Sequence, residues 1–395
     1  MRIQVSILRN IKATLRTIFH VALFFGISFG IYRGFFSYTL TYDYSLNARS
    51  DIANQGDGEI HVAAVWLDSD RAFMDGVNLA VKEVNEQGLV LKLDDKKVKA
   101  KLVIHEYDDT TDDSAQDSRL SIAEDHKIVA VVGHSSSASA IPASITYEYN
   151  GILFISTAAT ADLLTEHNFI YTFSIIPTEE FFVGKLIKFS KERNWNKLLL
   201  VFSRNLYGLN LYQRFSAQVE PPLEIVAARS FFVEQSDYKG MIYDLMNKDF
   251  DAVVMAAAEE HAAKMIEQLR EMGVNKPIIG GDGLDILKIW DWSNQTANQT
   301  YVASIFSGKN EFNEKFKSTY GVEGSYSAYQ GYEAIRVLAD AIQKTGSSNP
   351  IQVASTLKYG YAQGYGGYFF DKNGLASNKE IYIKQIVDGR FVLVE

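Results

Sequence analysis

Cysteine is absent from all 395 residues, which excludes disulfides, thiol catalysis and an acylated cysteine at a mature amino terminus. That absence agrees with an oxidising compartment. Neither a His-Glu-x-x-His zinc spacing nor a Gly-x-Ser-x-Gly elbow occurs. The neighbours His134 and Ser135 say nothing by themselves about catalytic geometry. The run IIGGDG at 278–283 lacks the lysine and hydroxyl of a phosphate loop. With no activated group in sight the chain does not read as an enzyme, and no cofactor is called for.

Acidic residues are missing from positions 1–42, which hold Arg2, Arg9, Lys12, Arg16 and Arg33. The whole chain has a net charge of −9, so the remainder carries −14. Such an acidic body argues against nucleic acid as a partner. The first basic cluster precedes a run, 17–32, that is apolar apart from His20, and the apolar character resumes after Arg33. A tilted helix with Arg33 snorkelling would reach spanning length, and the basic end would stay in the cytoplasm. The expected layout is a basic cytoplasmic tail at 1–16, a signal anchor or transmembrane helix at 17–41 and a polar tether at 42–58. The alternative is a cleaved signal that releases a soluble periplasmic protein.

The chain as a whole has ordinary globular composition, 47% hydrophobic and 22% charged, and its length favours two lobes over one enlarged core. Residues 128–132 and 152–155 are short, rich in β-branched residues and apolar at successive positions, as in strands buried on both faces of a parallel sheet. Each opens into a loop of small and hydroxyl residues, 133–139 and 156–160, the first leading into a helix over 140–149. Ligands of open α/β sheets settle outside the carboxyl ends of strands, and helix starts offer free N–H groups to an anion. The serines could equally be ordinary caps. Strands at 59–67 and 98–106 flank this unit, and the acidic cluster 107–117 reads as solvated residues capping a helix. After Pro177 the βαβ rhythm restarts. The predicted fold is α/β, two doubly wound lobes joined by a multi-strand hinge and preceded by an N-terminal hydrophobic helix. Lobe 1 takes 59–174 and 303–350, and lobe 2 takes 175–302 and 351–395.

The segment GHSSSASAIPASITYEYNGILFISTAATADL resembles, without a gap, the core of periplasmic binding proteins of the leucine/isoleucine/valine type, the soluble receptors of ABC transporters. LLLVFSRNLYGLNLYQRF and YSAYQGYEAIRVLADAI are similar to later family segments, so the likeness runs over nearly everything after Glu59. The resemblance implies that Ser137, with Ser136 beside it, meets the ligand's α-carboxylate, and that Ala158 or Ala159 with Thr160 meets its carboxylate and ammonium. It implies that Tyr207 closes over the ligand and that Asp282 pairs with its ammonium. Two departures stand out. The loop after the first strand is shortened to 66–71, where Trp66 could stack on a ligand or pack beneath the loop. Where the family often has an aromatic, this chain has Ala256–Ala257–Ala258 and then Glu259, Glu260 and His261, which widens or polarises the pocket.

The expected function is that of an exported solute-binding protein that captures an amino acid or related small polar ligand for an ABC-type importer. The alternative is a membrane-anchored periplasmic ligand sensor working through a separate signalling partner. Expected partners are therefore the small-molecule ligand and an ABC transporter permease or a membrane signalling protein.

Overall fold

The computed structural model describes residues 23, 24, 26–28, 45–56, 58–93, 96–360, 367–376 and 379–394. The tail at 1–16 and most of the expected anchor lie outside them, although 23, 24 and 26–28 are helical. Among the described residues no helix is long and apolar enough to cross a membrane. From residue 49 onward the chain forms one compact unit.

Two sheets organise that unit. The first has six strands in the order β2-β3-β1-β4-β5-β6, with β1 Glu59–Trp66, β2 Leu89–Leu93, β3 Lys96–Asp108, β4 Ile128–Gly133, β5 Leu153–Ser156 and β6 Thr172–Ser174. The second has seven in the order β13-β12-β11-β10-β9-β7-β8, with β7 Lys197–Ser203, β8 Glu224–Phe231, β9 Ala252–Ala256, β10 Ile278–Gly280, β11 Thr300–Ser304, β12 Tyr382–Val387 and β13 Arg390–Leu393. Every residue of β4, β5, β9 and β11 is buried, as helices on both faces of a parallel sheet require. Antiparallel pairing is confined to the edges, β2 with β3 and β11-β12-β13. The chain passes from the first sheet to the second after β6; between β11 and β12 it returns to lay helices on the first sheet before rejoining the second.

The return helix Tyr326–Thr345 is drawn onto the first sheet through its contact with helix Arg71–Gln87. Here glycine is required by proximity: a Cβ on Gly76 would lie 1.9 Å from the Ala328 carbonyl oxygen, and one on Gly331 would lie 2.4 Å from that of Phe73. The two backbones approach where neither could carry a side chain. The helix Pro350–Tyr359, assigned from the sequence to the second lobe, packs against β5 and the return helix of the first.

The polar stretch 42–58 does not behave as a tether in its described part, because 45–55 is helical. The segment is held to the rest of the chain by Arg49, which is fully buried. Its guanidinium donates to the carbonyls of Asp125 at 2.7 Å, Ile128 at 2.8 Å and Asn150 at 2.9 Å. These acceptors cluster where helices Asp112–Glu124 and Ser137–Asn150 end, and a fork of donors suits them. Burial lowers the pKa of Arg49 to about 10, against the pull of Asp125.

Candidate ligand-binding site

Residues at or just beyond the ends of β1, β4, β5, β7, β9 and β10 line one cavity of about 420 Å³. Small-molecule sites run from roughly 300 to 1,000 Å³. Loops with unpaired peptide groups converge there because parallel strands all end on the same edge.

One wall comes from the loops after β4 and β5. Helix Ser137–Asn150 begins three residues earlier than the sequence suggests, because Ser136 caps it by accepting from the Ser139 N–H at 3.3 Å. The Ser137 hydroxyl accepts from the Ala161 N–H at 3.3 Å, and the Thr157 N–H donates to the Gly133 carbonyl at 3.0 Å. These two bonds tie the loops together. Beneath them His134 is fully buried, with Nδ1 3.1 Å from Asp109 Oδ2 and Nε2 2.9 Å from the Tyr147 hydroxyl. The same Oδ2 accepts from the Ser135 N–H at 2.9 Å and the Ser139 hydroxyl at 3.0 Å. Burial works to raise the pKa of Asp109, but His134 and the loop donors hold it below its ordinary value. Asp109 is therefore an internal brace for the loop, not one of the solvated acids that the cluster 107–117 suggests.

The other wall holds Asp282, which is 7% exposed. It accepts from the Tyr207 hydroxyl at 3.2 Å on Oδ1 and from the Tyr326 hydroxyl at 3.0 Å on Oδ2. Among the described residues no cation pairs with it. Burial raises its pKa to about 6, against the two hydroxyl donors. The Tyr207 hydroxyl also accepts from the Gly283 N–H at 3.1 Å. Side chains on this loop would bar the ring: a Cβ at Gly281 would lie 2.7 Å from the Tyr207 hydroxyl, and one at Gly283 would lie 2.9 Å from the ring.

Of the residues expected at the site, the cavity brings together Trp66, Ser136, Ser137, Ala158, Tyr207 and Asp282. It does not bring Thr160, which is 1% exposed and donates its hydroxyl to Glu179 at 2.8 Å. Glu179 is itself buried, and that burial raises its pKa to about 8 despite the hydroxyl of Thr160. Trp66 lines the cavity and also packs, stacked on Phe73 with ring centres 4.1 Å apart and Nε1 donating to Asp70 at 3.1 Å. Sequence reasoning missed Tyr326 and Gln330. Both are buried on the return helix, four residues apart and so on one face of it. Gln330 Nε2 donates to the Thr157 carbonyl, while Oε1 has no donor among the described residues.

A family model described as periplasmic binding protein matches residues 66–390. The chain belongs to the periplasmic binding protein family. The leucine-, isoleucine-, valine-, threonine-, and alanine-binding protein of Pseudomonas aeruginosa is 24% identical to it over 359 residues, 87% of this chain and 90% of the relative. Among solved structures it is similar to the branched-chain amino acid transporter substrate binding protein LivJ from Streptococcus pneumoniae in complex with isoleucine. That match has a TM-score of 0.75 and 24% identity over 85% of this chain and 99% of the other. An ABC transporter substrate-binding protein from Desulfitobacterium hafniense in complex with leucine matches with a TM-score of 0.73 and 25% identity, over 85% and 100%. The relatives of this periplasmic binding protein are thus substrate-binding proteins of transport, not enzymes. Membership of the family implies a periplasmic location.

Proposed function

We propose that this periplasmic binding protein captures an α-amino acid in its cavity and hands it to an ABC-type importer. The observation that carries the reading is Asp282, a buried carboxylate on the cavity wall with hydroxyl donors but no cation of its own among the described residues. The ammonium of a ligand would supply that cation. Its carboxylate would lie against Ser136, Ser137, the loop at Ala158 and the free N–H groups that begin helix Ser137–Asn150. Tyr207 would cover the ligand and Trp66 would bound its side chain, while Thr160 would serve through Glu179 by fixing the second loop. Calorimetric titration of leucine into the full chain and into Asp282→Ala tests this. Removing one partner of a buried charge pair costs about 2 to 5 kcal/mol of binding, so capture should be lost. Equal affinity in the variant overturns the role.

We infer in addition that 17–41 holds the protein on the periplasmic face of the inner membrane. The basic flank before it and the length of the apolar run support this. Cell fractionation with an intact-mass measurement decides: full-length protein in the membrane fraction supports the anchor, and a shortened soluble form sinks it.

A further inference from the structure

Glu259 opens helix Glu259–Glu271 and lines the same cavity. Its backbone has φ 59°, a left-handed conformation that a residue other than glycine adopts at a cost and that tends to be kept at ligand sites. It forms no ion pair among the described residues. Its side chain is exposed on the cavity wall, and its pKa is raised, by partial desolvation first and by the nearby carboxylate of Asp109 second. The residue before it, Ala258, lies against Gly283, the neighbour of Asp282: a Cβ on Gly283 would sit 2.7 Å from that of Ala258.

The other charges on the wall have polar contacts, two of them as ion pairs. Arg71 pairs with Glu106 at 2.7 Å and Asp285 with Lys384 at 2.5 Å. Lys288 donates to the Ser69 carbonyl at 3.1 Å and lies over the ring of Trp292, and Asp70 accepts from Trp66. Glu259, Asp282 and Asp70 are thus three lining carboxylates that form no ion pair among the described residues, against one lining cation, Lys288, that forms none. One acceptor lacks a donor as well, Gln330 Oε1, in a side chain 1% exposed, and the His261 ring, which burial keeps neutral by lowering its pKa to about 4, has an unpartnered Nε2. A cavity with surplus negative charge and an orphaned acceptor is matched by a ligand with more N–H donors and more positive charge than an aliphatic zwitterion has.

We propose that the ligand is a basic amino acid, its α-ammonium on Asp282 and its side-chain cation on Glu259, in the space beside Ala258. This rests on the amino-acid reading above and names the substrate class of the same cavity.

The test is calorimetric titration of the full chain with L-arginine, its neutral isostere L-citrulline, L-lysine and L-leucine, repeated on Glu259→Gln. Arginine or lysine should bind at least tenfold more tightly than leucine, and arginine at least tenfold more tightly than citrulline. Glu259→Gln should reduce the arginine-to-citrulline ratio tenfold or more. Leucine binding as tightly as both basic amino acids, or an unchanged ratio in the variant, overturns the basic-ligand assignment while leaving amino-acid capture intact. If none of the four binds, the amino-acid reading falls, and this assignment with it.

Discussion

Asp282 and Asp285 stand three residues apart on one loop, both buried, and their surroundings differ in kind. Asp285 is closed: Lys384 Nζ lies 2.5 Å from its Oδ2, and the Ser304 hydroxyl donates to the same oxygen at 2.5 Å. The lysine sits over the rings of Phe391 and Phe306. Burial pulls its pKa below the ordinary value against the opposing effect of Asp285. Asp282 meets only neutral hydroxyls. A buried carboxylate that carries its own cation has its charge cancelled within the fold, whereas one held by tyrosines keeps a charge that something else must cancel. The first arrangement serves the second sheet, joining its β11-β12 edge to the loop after β10, and the second is open to a ligand.

Breaking the closed member should have the largest effect. Lys384→Met leaves Asp285 buried and uncompensated, and removing one partner of a buried pair costs about 3 to 5 kcal/mol of stability. Asp282→Asn keeps the shape, an acceptor for one tyrosine hydroxyl and an N–H for the other to accept from, while removing a charge that no described cation balances. Its stability should hold or rise, by up to about 3 kcal/mol at pH 7, because the charge that burial disfavours is gone. Urea unfolding of the full chain measures both. Equal losses would erase the distinction between the two aspartates.

The same contrast explains what the sequence could disclose. Strands β4 and β9 are legible because burial on both faces demands an unbroken apolar run, a property of consecutive residues. Asp282 stands out as a candidate through the resemblance of its surroundings to a family segment, and the cavity wall is where it lies. Lys384 and Asp285 are 99 positions apart in the chain, and nothing near either residue announces the other. Arg49 reads as part of a polar stretch because its acceptors lie 73 to 101 positions away. Asp109 reads as solvated because its burial depends on His134, which arrives with the next strand and loop. Local patterning thus disclosed the frame and the loops that line the cavity. The polar groups that brace them answer to long-range packing.

The open member is sharpened by pH. The carboxyl of Asp282 moves from 3.8 to about 6 on folding, so the unliganded protein binds this proton more tightly than the unfolded chain does. Stability from this group is therefore full below pH 3.8 and falls by about 1.4 kcal/mol per pH unit as the pH rises towards 6. Ligand affinity should run the other way, since only the ionised carboxylate attracts an ammonium: weak below about pH 6, it should reach a plateau above it. Tyr326→Phe removes a donor that favours the charged form. The affinity rise should then move to higher pH, with a loss of roughly 1.5 kcal/mol at pH 7, the low end for a hydrogen bond to a charged group, and recovery in more alkaline buffer. Calorimetry across pH 5 to 9 separates this from a merely structural role: a loss that is equal at every pH would mean that Tyr326 supports the fold and does not tune the charge.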